Sequence, residues 1–274
     1  MTEPERLADL GPRGQLAYRF RGEGTGAPLV LLRPLGGSMA LWGELEERLA
    51  ARHRVLVFDP RGVGRSSDAP IDGSTRSMAG DVRELLDVLA LPRVHVFGLS
   101  LGGMVASWLA IDAGERVEKL VLASTPPRAG AISRRGLRDG LSLLRWFAHP
   151  GAGAEVGLVR QMLSRGWRAR HRERLAEIEA LVRAHPTSRG NLLKLAFAAA
   201  RHDAQPRLTE IAAPTLLLFG GHDPLVRSRS QRELIQGIPN AVLSVLPDVG
   251  HDLSLEDPAG TAARVLAFLA GERR

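Results

Sequence analysis

The feature that most narrows the possible folds of this chain is an alternation of short apolar runs with helical patterns. Pro28–Leu32 (PLVLL), Val55–Phe58 (VLVF), Val94–Gly98 (VHVFG), Leu120–Ala123 (LVLA), Thr215–Phe219 (TLLLF) and Val242–Leu246 (VLSVL) have almost no polar positions. Runs of that kind suit strands buried on both faces of a sheet. Between them, apolar residues recur at helical spacing in Leu41–Ala51, Ser74–Leu89, Leu101–Ala113, Arg227–Gln236 and from about Ala259 to Ala270. The expected fold class is therefore α/β, with a mostly parallel central sheet and helices on both faces. Gln15–Phe20, followed by the Gly22/Gly24/Gly26 turn, suits a leading antiparallel strand pair.

The rhythm breaks between Arg128 and Leu208, where no strand pattern occurs. Leu137–Phe147, Glu155–Leu163, His171–Ala184 and Asn191–Ala200 have helical periodicity instead, interrupted by Pro150, Gly151 and Pro186. The expected organisation is a core in two parts, 1–127 and 209–274, with an inserted helical segment at 128–208. That segment carries sixteen basic and six acidic residues, so it accounts for more than the whole net charge of +7. Solvated helix faces explain such a surplus; a positive rim around a site is the sharper alternative.

Basicity also raises the question of nucleic acid, and composition argues against it. Of the 37 basic residues only Lys119 and Lys194 are lysines, and aromatics make up 4% of the chain without interleaving among the arginines. Neither a base-stacking pattern nor a nucleic-acid-binding motif is present, so no nucleic-acid partner is expected. No apolar run approaches the ~18 residues of a membrane span, so no membrane partner is expected either. The acidic start, Met1-Thr2-Glu3-Pro4-Glu5, does not read as a secretory signal, and a cytoplasmic location is expected. The absence of Cys removes thiolate metal sites, iron–sulfur clusters and cysteine nucleophiles. Without a metal-ligand histidine spacing, a phosphate-binding loop or a dinucleotide turn, no metal or other cofactor is expected.

Gly98-Leu99-Ser100-Leu101-Gly102-Gly103 directly follows one apolar run and opens the next helix pattern. A serine there occupies a sharp strand-to-helix turn, and flanking glycines let neighbouring chain pass without a clashing Cβ. A serine hydroxyl is a weak nucleophile until a base takes its proton, so a histidine and an orienting carboxylate should follow. Gly220-Gly221-His222-Asp223-Pro224 puts Asp223 just after one strand, and Pro247-Asp248-Val249-Gly250-His251-Asp252 puts His251 just after the next. Ser100, Asp223 and His251 are the candidate catalytic residues, all at the sheet edge where open α/β folds bind ligands. His222 precedes Asp223 and would invert the expected chain order, so it ranks below His251. His95 is expected to be a satisfied core residue; His149, His171, His185 and His202 are expected on the surface. Asp59 is expected to organise its loop.

With these motifs together, the sequence resembles the α/β-hydrolase superfamily over essentially its whole length. The matching pieces are Gly36-Gly37-Ser38 with Trp42, Asp59-Pro60-Arg61-Gly62 through Ser66, the turn around Ser100, Gly220 to Pro224, and Gly250-His251. The resemblance implies a helical cap, for which 128–208 is the candidate. It also implies an oxyanion hole from the backbone N–H groups of Leu35 and Leu101. Many relatives carry His-Gly where this chain has Arg33-Pro34. A branch resembling 3-oxoadipate enol-lactonases lacks His-Gly too, and Leu35-Gly36 with Trp42 is similar to it.

The expected activity is hydrolysis of a small carboxylic ester or lactone through an acyl-enzyme. Acyl transfer to an alcohol, perhydrolysis and C–C bond hydrolysis share the same three residues and are the alternatives within enzymes. A ligand receptor on a retained hydrolase fold is the alternative outside them. Trp146, Phe147, Trp167 and Phe197 are candidates to line the pocket, with ordinary core packing the alternative for each. Arg33 would either receive a substrate carboxylate or pair with a nearby acidic side chain and brace its loop.

Overall fold

The computed structural model describes residues 2–68, 73–129 and 154–272. Eight strands form one sheet: β1 (Arg6–Asp9), β2 (Gln15–Arg21), β3 (Leu29–Leu32), β4 (Val55–Phe58), β5 (Val94–Leu99), β6 (Val117–Ala123), β7 (Thr215–Gly220) and β8 (Ala241–Leu246). Their order is β1-β2-β4-β3-β5-β6-β7-β8. From β4 onward all neighbours are parallel, whereas β2 is antiparallel to both β1 and β4. The antiparallel partners of β2 therefore lie before it and two strands after it, and the glycine turn leads to a strand that does not touch it. β1 escaped sequence reading because its four residues, RLAD, bury only one side chain.

Strand alternation divides the core into two layers. Val30, Leu32, Leu56, Val96 and Leu217 point to one face, against Val82 and Leu86 of α2 (Thr75–Val88) and Val105 and Leu109 of α3 (Leu101–Asp112). Leu29, Leu31, Val57, Phe97 and Leu218 point to the other, against Leu45 and Leu49 of α1 (Gly43–Ala50) and a C-terminal helix that carries Val265. Both faces of the central strands are thus covered, which is why those segments have no alternating polar residues. β8 departs from the expectation, because as an edge strand it leaves Val242, Leu243 and Val245 exposed.

Between β6 and β7 the described residues form α4 (Ala154–Met162), α5 (Arg165–Arg170), α6 (Arg172–Ala184) and α7 (Arg189–Ala200). α5 was not foreseen because RGWRAR has no apolar period; the side chain of Ser164 caps it by accepting from the Trp167 N–H. The predicted helix Leu137–Phe147, with Trp146, Phe147, His149, Pro150 and Gly151, lies outside the described residues. The remaining α-helices among the described residues are α8 (Ser228–Gly237), α9 (Leu253–Glu256) and α10 (Pro258–Leu269). Among the described residues no helix is long and apolar enough to cross a membrane.

Candidate active site

Ser100 sits between β5 and α3 with φ 56° and ψ −116°, a conformation that costs an L-residue energy and persists only when its surroundings enforce it. Here backbone does the enforcing. The Ser100 N–H donates to the Ala123 carbonyl at 2.9 Å, and the Thr125 hydroxyl donates to the Ser100 carbonyl at 2.8 Å. A Cβ on Gly98 would lie 2.4 Å from the Gly102 carbonyl oxygen, and one on Gly102 would lie 2.1 Å from that of Leu32. The glycines on either side of the serine are therefore steric requirements of the turn.

The loops after β7 and β8 bring the other two candidates to the same edge. His251 Nε2 lies 2.8 Å from Ser100 Oγ, and His251 Nδ1 lies 2.9 Å from Asp223 Oδ2. Asp223 uses its other oxygen to accept from the Leu225 and Val226 N–H groups at 2.8 and 3.0 Å, which fixes the carboxylate plane. The Asp223 and His251 side chains are almost wholly buried. Burial alone would lower the His251 pKa, but the charge and hydrogen bond of Asp223, with Asp252 and Glu256 behind them, raise it on balance. A histidine bonded on both sides in this way can accept a proton from the serine while its other nitrogen stays fixed. His222, in contrast, is exposed at the loop surface.

Leu101 is the first residue of α3, so its N–H has no partner within the helix. Leu35 lies on the loop after β3 and packs with Leu158, Met162, Leu192 and Leu225, an apolar cluster drawn from α4, α7 and the Asp223 loop. Thr187 donates to the Gly36 carbonyl at 3.1 Å, and a Cβ on Gly36 would meet Leu192 at 2.4 Å. The helices between β6 and β7 thus press directly on the Leu35 loop. Asp59 organises its surroundings as expected, accepting from the Met39 and Arg65 N–H groups at 2.6 and 2.9 Å. Among the described residues no group of three or more His, Asp or Glu comes together as a metal site.

Of the two readings of Arg33, the structure bears out pairing with an acidic side chain: it is 1% exposed and paired with Asp252, 3.1 Å away. Other expectations need correction. Trp167 packs with Val159, Ile178 and Leu255 and donates to the Glu256 carbonyl at 3.0 Å, so it is core. Phe197 is 55% exposed. The apolar residues near the Leu35 loop are instead Leu158, Met162 and Leu192, aliphatic positions indistinguishable in sequence from ordinary core. His202 is buried, not on the surface; it bonds Thr75 at 2.9 Å, and burial lowers its pKa to about 4. His95 is buried as expected, yet its Nδ1 has no partner.

Glu256 escaped the sequence reading altogether, and Asp252 figured there only as a neighbour of His251. Glu256 accepts from the Gly250 N–H at 3.0 Å and from the Ser164 hydroxyl at 2.7 Å, joining the His251 loop to the start of α5. Met162, at the end of α4, accepts from the His251 and Asp252 N–H groups at 3.0 and 3.2 Å. No local motif announces such partners, because they arrive from about ninety residues away.

The sequence pattern of the alpha/beta hydrolase fold family matches residues 27–258. The chain is 35% identical over 257 residues to the RutD protein of Variovorax paradoxus, whose name proposes a carbamate hydrolase, covering 93% of this chain and 96% of that one. A hydrolase from Pseudomonas aeruginosa superposes with a TM-score of 0.85 at 28% identity, covering 97% of this chain and 98% of the other. The enol-lactonase of Burkholderia xenovorans superposes with a TM-score of 0.82 at 28% identity, covering 97% and 100%. With the fold, the strained serine turn and these relatives in agreement, the chain belongs to the alpha/beta hydrolase fold family.

Proposed function

We propose that this protein is a serine hydrolase that cleaves a small carboxylic ester or lactone through an acyl-enzyme. Ser100 attacks the carbonyl carbon while His251 takes its proton, and Asp223 holds the imidazole tautomer and stabilises the imidazolium. The N–H groups of Leu35 and Leu101 receive the oxyanion. His251 then gives its proton to the leaving alcohol, and water activated by His251 cleaves the acyl-enzyme and regenerates Ser100. The observation that carries this reading is the unbroken line from Ser100 Oγ through His251 to Asp223, with links of 2.8 and 2.9 Å. The segment 128–208 serves as a cap on the core formed by 1–127 and 209–274. The bond from the His251 N–H to Met162 and the packing of Leu192 on the Leu35 loop support that role.

A carbamate is a second reading, favoured by the 35% identity to the RutD protein. Its carbonyl would engage the same groups, with an amine or ammonia leaving. A fluorophosphonate probe and a panel of p-nitrophenyl esters, lactones and carbamates test both. Labelling confined to Ser100 is expected, with turnover abolished in Ser100→Ala. A preference for carbamates over esters would select the second reading, and failure to label at all would leave a ligand receptor.

A further inference from the structure

Arg33 joins two loops that the proposed chemistry needs in register. It follows β3 and opens the loop that carries Leu35. Its Nη2 donates to Asp252 Oδ2 at 3.1 Å, and its Nη1 donates to Ser254 Oγ at 2.9 Å. The guanidinium lies 4.6 Å from the centre of the Trp42 ring, which supports it from one side. Asp252 is the neighbour of His251, and its other oxygen accepts from the Ser254 N–H and hydroxyl. Arg33, Asp252 and Ser254 therefore close a hydrogen-bonded triangle from which solvent is excluded.

Burial lowers the Arg33 pKa and Asp252 only partly opposes that, so the site is a costly place for a cation. A buried ion pair seldom stabilises a fold more than apolar groups of the same volume would. What it does impose is geometry, because any shift of one loop against the other leaves a charge unpaired in a dry interior. Both terminal nitrogens are engaged by side chains of this chain, and among the described residues the buried Nε has no partner.

We propose that the Arg33–Asp252 pair is a brace that holds the Leu35 loop and the His251 loop in fixed relative position. Arg33 is thus a positioning residue that acts through Leu35 and His251, and the inference rests on the roles proposed for those two. The cost of misplacing either loop appears in turnover, since both act on the transition state and neither captures the substrate.

The test uses the full chain with Arg33→Met, Arg33→Lys, Asp252→Asn, Ser254→Ala and the Arg33→Met/Asp252→Asn double variant. Each is assayed on a neutral p-nitrophenyl ester and on one that carries a carboxylate. Arg33→Met is expected to lower kcat about tenfold or more on both esters with KM changed by less than about threefold, the signature of lost transition-state interactions. The double variant is expected to lose no more than the worse single variant, because the two residues act through one contact. Arg33→Lys keeps the charge without spanning both Asp252 and Ser254 and falls between. If Arg33→Met fails to fold, Arg33→Lys and Ser254→Ala carry the same test with smaller losses. Nitrogen NMR of His251 adds a readout independent of turnover, with its titration midpoint expected to fall in Asp252→Asn. Unchanged kcat, additive losses, an unmoved His251 midpoint or a KM rise confined to the anionic ester each overturns the brace. Absence of Ser100-dependent hydrolysis in the wild type would sink the proposed function instead, and the coupling of Arg33→Met with Asp252→Asn in urea unfolding would then decide the brace, additive losses overturning it.

Discussion

The turn around Ser100 and the loop around His251 reach the same point in space by opposite means. The serine turn is held mainly by nearby backbone: a strained φ, a bond from its N–H to the Ala123 carbonyl beside one from the Thr125 hydroxyl, and glycines packed against carbonyl oxygens. The histidine loop has local bonds too, from the Gly250 N–H to Glu256 and from the Leu253 N–H to the His251 carbonyl, but it leans far more on distant elements. It is held by Met162 from α4, by Ser164 through Glu256, by Asp223 from the loop after β7, and by Arg33 through Asp252. A nucleophile must project from a rigid point, and a short sequence can encode that. A base that serves both the nucleophile and the leaving group must be aligned to several elements, so its supports come from wherever those elements lie.

The largest expected effect falls on the element the two regions share. Asp223→Asn should keep the carboxamide in place while favouring the wrong imidazole tautomer, costing about 10³–10⁴-fold in kcat, or about 4–5 kcal/mol. Added to Ser100→Ala it should cost little more, since the three residues act as a unit. Kinetics of the single and double variants check this. Losses that multiplied would mean that serine and histidine do not act together.

Next comes the claim that the serine turn is supported by backbone. Gly98→Ala would push a methyl group to 2.4 Å from the Gly102 carbonyl, which has no flexible end to move aside. A loss of about 3 kcal/mol in stability is expected, accompanied by loss of turnover as Ser100 is displaced. Urea unfolding and the p-nitrophenyl ester assay measure both. Unchanged stability would place the support of the turn elsewhere.

The same contrast explains what the sequence discloses. Ser100, Asp223 and His251 were readable because each follows an apolar strand at the sheet's carboxyl edge, and strand order then fixes their proximity. The two-layer core was readable for a related reason, since strands covered on both faces must be apolar at every position. Asp252, Glu256 and Met162 were not readable. They are an acid beside the histidine, an acid in a four-residue helix and a methionine at a helix end, and each acquires its role from a distant partner. His202 shows the same limit: its burial comes from packing beside Trp108 and a bond to Thr75, which lies 127 positions away. Among the described residues, three arginines of the basic segment are of the solvated kind. Arg160, Arg174 and Arg183 are about half exposed or more and pair with glutamates on α6.

The smallest expected effect tests the long-range support of the histidine loop without touching the reacting groups. Glu256 is partly buried, and that burial raises its pKa against the bonds it accepts from Ser164 and Gly250. Its charge in turn helps to raise the pKa of His251. Glu256→Gln preserves shape but leaves one oxygen to accept where two accepted before, so one of those N–H or O–H donors loses its partner. A cost of about 1–2 kcal/mol in stability follows, with kcat reduced about three- to tenfold as the His251 loop loosens. The pH profile separates support from charge. In the proposed mechanism His251 works as a base only when neutral, so kcat/KM should rise with pH through its pKa, with a midpoint above 6.5 in the wild type. Removing the Glu256 charge withdraws support from the imidazolium, so the acid limb should move to lower pH even as the maximum falls. A profile that kept its midpoint while losing height would make Glu256 a mechanical latch alone. An unchanged maximum as well would transfer the support of the loop to Met162 and Arg33.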